Sequence, residues 1–157
     1  MSKANIEFMR EAIRLSIESV EKGGGPFGAV VVKNGKIVAG SANSVTVDID
    51  PTAHAEVNAI RKAAKELGTF DLSGCEIYTS CEPCPMCFGA IYWAHIDTIY
   101  YGNTKKDAQA IGFDDAFIYK ELETPEDKRK VKAIPFLRQE ALLSFEIWSK
   151  LDDKTEY

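Results

Sequence analysis

At 157 residues, 45% hydrophobic and 27% charged, the chain has the size and composition of one globular domain, far from the charge-rich, apolar-poor profile of disordered proteins. Its formal net charge of −5 sets the surface field against polyphosphate, so nucleic acid is a disfavoured partner, and no apolar run approaches bilayer length, so no membrane partner is expected. Glu7, Arg10, Glu11, Arg14 and Glu18 interrupt the apolar residues from Ile6 to Val20, which is unlike the apolar core of an export signal and points to a cytoplasmic location.

In chain order, Ile6, Met9, Ile13, Ile17 and Val20 recur at spacings of three and four, predicting a helix with one apolar stripe that Gly23 to Gly25 ends. Phe27 to Lys33 and Lys36 to Ala42 are β-rich runs around Asn34-Gly35, the pair that best accepts the positive φ angles of a type I′ turn, so an antiparallel hairpin follows. Asp50-Pro51 reads as an N-cap and first helical position, with a helix running to Leu67, Gly68 stopping it and Val57, Ile60, Ala64 and Leu67 turned inward. Cys75 to Ser80 is a buried strand, Pro85 opens a helix to Ala94, and Thr98 to Tyr101 is a strand again, which makes a right-handed parallel crossover. Beyond Gly102 the spacing predicts a mixed segment to Lys120, a solvated charged stretch from Glu121 to Lys132, a strand at Ile134 to Leu137 and a helix from Leu142 to Leu151. The expectation is a single α/β domain over residues 1–157: three layers, α/β/α, around a mixed sheet of about five strands that begins antiparallel and continues parallel.

Cys75, Cys81, Cys84 and Cys87 crowd into a short stretch of a chain expected in a reducing compartment, where such spacing reads as metal or redox chemistry before disulfides; Cys75 itself reads as a small buried apolar residue. His54-Ala55-Glu56 and Pro83-Cys84-Pro85-Met86-Cys87 both fall at predicted helix starts. One imidazole and two thiolates supply the three protein ligands of a catalytic zinc site, leaving a fourth position for water. Cys84 near an N-cap and Cys87 three residues on aim both sulfurs at the positive end of a helix dipole, which favours the thiolate. Two residues along a regular helix turn about 200°, so His54 and Glu56 can face one ion only where that helix points end-on at it. A carboxylate so placed can take a proton from zinc-activated water, hand it to a ring nitrogen, and later protonate the amino group that departs as ammonia. A closed centre of Cys81, Cys84 and Cys87 with His54 or His95 is the structural alternative, and it leaves Glu56 without a task.

These two strings resemble the H-x-E…P-C-x-x-C signature of the cytidine deaminase superfamily. The longer strings Gly25-Pro26-Phe27-Gly28-Ala29, Asp50-Pro51-Thr52-Ala53-His54-Ala55-Glu56 and Thr79-Ser80-Cys81-Glu82-Pro83-Cys84 are similar to the branch holding small bacterial guanine deaminases and tRNA adenosine deaminases. Gly112-Phe113-Asp114-Asp115-Ala116-Phe117-Ile118-Tyr119 and the terminal Glu156-Tyr157 resemble the guanine deaminases in particular. The resemblance implies one zinc per subunit on His54, Cys84 and Cys87, Glu56 as proton shuttle, and the Ala55 N–H near the substrate. It also implies Asn43 hydrogen-bonded to the base, Phe27 as an apolar wall, Asp115 as a second acidic residue beside the amino group, and Trp93 and Tyr157 closing the pocket. A homodimer is implied as well, with the C-terminal segment exchanged so that Tyr157 serves the partner's site. Read from the residues alone, Phe27 also fits the core beside Val30 to Val32, Trp93 a core aromatic, Asn43 an Asx turn, and Asp114 or Asp115 a helix cap.

The function expected is hydrolytic deamination of a free purine base, guanine and water giving xanthine and ammonia. A tRNA adenosine substrate would need a basic surface, yet residues 139–157 carry Glu140, Glu146, Asp152, Asp153 and Glu156 against Lys150 and Lys154. A zinc-stabilised binding module without turnover is the third reading, and it has no use for Glu56.

Overall fold

The computed structural model describes residues 3–157, which fall into two compact units, one ending at Asp115 and the other spanning Ala116–Tyr157. In the first unit, helix α1 (Ile6–Glu21) precedes the hairpin of strands β1 (Gly28–Lys33) and β2 (Lys36–Ala42). A short helix α2 (Val45–Asp48), helix α3 (Ala55–Leu67), strand β3 (Cys75–Cys81), helix α4 (Pro85–Trp93), strand β4 (Thr98–Asn103) and helix α5 (Lys105–Ala110) follow. The sheet order is β2-β1-β3-β4, with β1 antiparallel to both β2 and β3, and β4 parallel to β3.

Alternation along the central strands builds the three layers. Ala29 and Val31 of β1 and Ile77 of β3 face a core that includes Ala55, Ala59 and Ala63 of α3 and Ile91 of α4. Val30, Val32 and Tyr78 point to the opposite face, where Ala12 of α1 joins them with Phe8, Met9 and Leu15 packed alongside. Strands covered on both faces have no polar side to show, which is why β1 reads as an unbroken apolar run. The hairpin forms as its turn chemistry predicts, with Asn34 and Gly35 at φ 51° and 72°.

The α1 stripe does not go where its spacing suggests. Ile6, Ile13, Ile17 and Val20 are exposed, and the face turned to the sheet carries Ala12, Ser16 and Ser19. The cause is the closeness of helix and strand: a Cβ on Gly28 would meet Ala12 O at 2.3 Å, so only small side chains fit between them. Helix α3 begins at Ala55, later than the Asp50-Pro51 signal suggests, because the Asp50 carboxylate accepts instead from Thr52 N (2.8 Å) and Thr52 Oγ1 (2.7 Å), closing a local turn. Its inward face is mainly Ala55, Glu56, Ala59 and Ala63, with Ile60, Ala64 and Leu67 packed at the margin.

The second unit holds α6 (Ala116–Glu123), a 3₁₀ turn (Glu126–Lys128) and α7 (Arg138–Ser149). The sheet has four strands rather than about five. The segment expected as a fifth strand contains Pro135, which has no N–H for a ladder, and ends at Leu137, whose left-handed φ of 51° makes it the cap of α7. Neither α6 nor α7 buries a residue.

Candidate active site

Two helix N-termini meet at the site. His54 is the N-cap of α3 and Cys84 the N-cap of α4, both with extended backbone, while Pro85 occupies the first turn of α4 and brings Cys87 round to the same end. Because His54 stands outside the helix and Glu56 inside its first turn, both side chains reach one point, satisfying the end-on condition that their two-residue spacing imposes.

Cys84 Sγ lies 3.6 Å and Cys87 Sγ 3.5 Å from His54 Nδ1, and the ligand atoms of the three residues all fall within 4.8 Å of one another. Tetrahedral zinc, with bonds of about 2.0–2.1 Å to nitrogen and about 2.3 Å to sulfur, separates such donors by roughly 3.5 Å, so the set fits the ion. The sulfurs and the imidazole also lie within hydrogen-bonding reach of one another. Hydrogen bonding from Cys87, reinforced by His54, holds the Cys84 thiol down to about 4, and the Cys87 thiol, donating to Cys84 and buried, is pushed up. The Cys84 sulfur in turn raises His54.

Glu56 is only 6% exposed. Its Oε2 stands 3.4 Å from Cys87 Sγ and its Oε1 accepts from Thr79 Oγ1 at 3.3 Å. Desolvation raises its pKa, which suits a group that must hold a proton in one step and release it in the next. Thr79 gave no sign of a role in the sequence; only its inward register on β3 brings its hydroxyl to the carboxyl.

Cys81 stays out of the cluster. Its buried sulfur faces Thr104 O at 3.7 Å, and burial pushes its thiol up to about 11. His95 Nδ1 lies 3.4 Å from Asp71 Oδ1. Among the described residues, the metal-binding group is therefore His54, Cys84 and Cys87, an open three-ligand set rather than a closed Cys₃His centre.

Of the residues that the resemblance adds, Asn43 and Phe27 are joined by the Asn43 N–H to Phe27 O bond (2.9 Å). Asn43 Oδ1 also accepts from Val45 N at 3.2 Å, so the Asx turn read from the sequence is present. A Cβ on Gly25 would stand 3.1 Å from Asn43 Oδ1, and the bare glycine lets that loop approach so closely. The Phe27 ring meets the edge of Phe113 at a centroid distance of 5.0 Å, which adds Phe113 to the residues that sequence reasoning had not singled out. Ala55 is the first residue of α3, where a backbone N–H has no partner within the helix. Asp115 is half-buried, and its pKa is raised by desolvation and by the charge on Cys84. Trp93 is exposed at the end of α4, and Tyr157 is an exposed residue of the second unit.

A mixed sheet carrying an open site of one imidazole and two cysteine sulfurs beside a buried carboxyl defines a zinc-dependent deaminase centre. A family model described as the cytidine and deoxycytidylate deaminase zinc-binding region matches residues 2–103, and the chain belongs to that family. It is 50% identical to guanine deaminase of Bacillus subtilis (strain 168) over 151 residues, covering 96% of this chain and 97% of that protein. A tRNA-specific adenosine deaminase of Aquifex aeolicus is 41% identical over 99 residues, covering 63% of this chain and 66% of its own. The X-ray structure of the Bacillus subtilis guanine deaminase superposes with a TM-score of 0.93 at 50% identity, over 98% of this chain and 99% of that one.

Proposed function

We propose that this chain hydrolyses guanine to xanthine and ammonia, a step of purine breakdown. One observation carries the choice of substrate. Likeness to the guanine deaminase runs through 96% of the chain, whereas the likeness to the tRNA enzyme spans 63%. An acidic tail also repels an RNA backbone.

Zinc held by His54, Cys84 and Cys87 supplies Lewis-acid activation of water at the carbon that bears the amino group. The rest falls to the protein. Glu56, buried and with its pKa raised, accepts the first proton of that water and delivers it to the adjacent ring nitrogen. It then takes the second from the hydroxyl added to the ring carbon and gives it to the amino group, which departs as ammonia while the carbon keeps its oxygen as a carbonyl. With its Oδ1 tied to Val45 N–H, Asn43 offers its amide hydrogens to an acceptor on the base, and Phe27, braced by Phe113, forms an apolar wall. The Ala55 N–H donates to the substrate. Asp115, half-buried, receives a hydrogen bond from the amino group that leaves. Trp93 and Tyr157 close the pocket.

The working unit in this reading is a cytoplasmic homodimer, and the C-terminal segment places Tyr157 in the partner's site. Its support is the apolar surface of the second unit, where Phe136, Phe145 and Ile147 are exposed, together with the exposed α1 stripe. The four thiols are unpaired, as in a reducing compartment. Light scattering on the purified protein should return twice the chain mass; a monomer at working concentration would refute the dimer.

The substrate is tested by offering zinc-loaded protein guanine, guanosine, cytosine, adenine, cytidine and an adenosine-bearing tRNA stem-loop, each with ammonia as the readout. Release from guanine alone is expected. Release from the stem-loop and not from guanine would overturn the assignment.

A further inference from the structure

Helix α3 carries, one turn beyond His54, a side chain that the chemistry above does not use. The amide nitrogen of Asn58 lies 3.1 Å from Ala42 O, 3.0 Å from Ser44 Oγ and 3.2 Å from Ala53 O. Ala42 and Ser44 flank Asn43; Ala53 immediately precedes His54. The Asn58 backbone N–H donates to His54 O at 2.9 Å, so the side chain is fixed to the element that presents the metal ligand. At the same junction the Ser44 N–H donates to Ala53 O at 2.9 Å. Lys62, a further turn along α3, reaches Ser41 Oγ at 3.0 Å and extends the attachment along β2.

Two segments from different parts of the chain are thus tied through one NH₂ group, and few side chains could replace it. A carboxylate has no hydrogen to give and would set a charge against two carbonyl oxygens; a leucine would leave both carbonyls without that donor. The Asn43 segment needs the tie because it is the end of an edge strand followed by a four-residue helix that buries nothing. Small errors of placement in a binding group are costly, since orientation is a large part of what a site contributes.

We propose that Asn58 is a positioning residue that sets Asn43 against His54, and so places the base at a fixed distance from the metal ligands. The proposal rests on the reading of Asn43 as the group that binds the base. An interaction made equally in ground and transition states appears in KM. Zinc-loaded Asn58→Ala should therefore keep one zinc per chain and raise KM for guanine about tenfold, with kcat changed less than about threefold. In an Asn43→Ala background the same change should add less than about twofold, because the group it positions is gone.

An unchanged KM, an additive double variant, or loss of zinc from Asn58→Ala would each overturn the proposal. Hydrogen exchange at the Ser44 amide gives a readout free of activity: exchange should be faster in Asn58→Ala than in the parent, and equal rates would overturn the tie. A parent protein inert towards guanine would refute the proposed substrate, and the exchange comparison would still decide for or against Asn58. Should Asn58→Ala not fold, Asn58→Gln keeps the donor on a longer arm; it should show the same rise in KM, and a normal KM there would overturn the proposal.

Discussion

The helices before and after Asp115 are built on opposite terms. Helix α3 buries Ala55, Glu56, Ala59 and Ala63, and α4 buries Cys87 and Ile91, so each ligand-bearing helix packs part of its own length into the core. Helices α6 and α7 bury nothing, although α7 carries Leu142, Leu143, Phe145, Ile147 and Trp148. The first region therefore holds its chemistry by its own packing. The second has more apolar surface than its own residues cover.

That contrast can be broken at several points. The largest effect belongs to His54→Ala, which removes one of only three protein donors: zinc content measured by atomic absorption should fall far below one per chain, and turnover with it. Full zinc occupancy in that variant would overturn the ligand set. Glu56→Ala comes next, retaining zinc while losing about 10²–10⁴-fold in kcat, the range of general acid–base catalysis. Near-normal turnover would remove its role as shuttle.

A change in the second unit should separate function from folding. Deleting Tyr157 should lower kcat/KM about tenfold, equivalent to about 1.4 kcal/mol, with little change in melting temperature. Equal losses of activity and stability would make the terminus structural. The smallest effect expected is that of Thr79→Val, which takes one hydrogen bond from Glu56 and should cost kcat about fivefold, near 1 kcal/mol, with Thr79→Ser restoring most of it. If Ser does not rescue, the hydroxyl is not what matters at that position.

The same contrast explains what could be read from the sequence. The hairpin at Asn34-Gly35, the crossover from β3 to β4, and the meeting of His54 with Cys84 and Cys87 all rest on local signals: turn residues, caps, and ligand types at helix starts. Thr79 and Asn58 were invisible because their roles depend on which long-range segments stand beside them. The α1 stripe misled for a related reason. Its period was right for a helix, but the depth of packing at Gly28 chose the face with small residues, and no local pattern encodes that choice. The expected fifth strand had β-like composition around Ile134 and Phe136, yet Pro135 and the turn at Leu137 decided against it.

The central claim is that one zinc on His54, Cys84 and Cys87 works with Glu56 to deaminate guanine. Metal-free protein titrated with zinc, with xanthine and ammonia followed together, tests it most directly. The two products should appear in equal amounts, and the rate should rise in proportion to zinc and level off at one ion per chain. Turnover without zinc, or none with one zinc bound per chain, would contradict it.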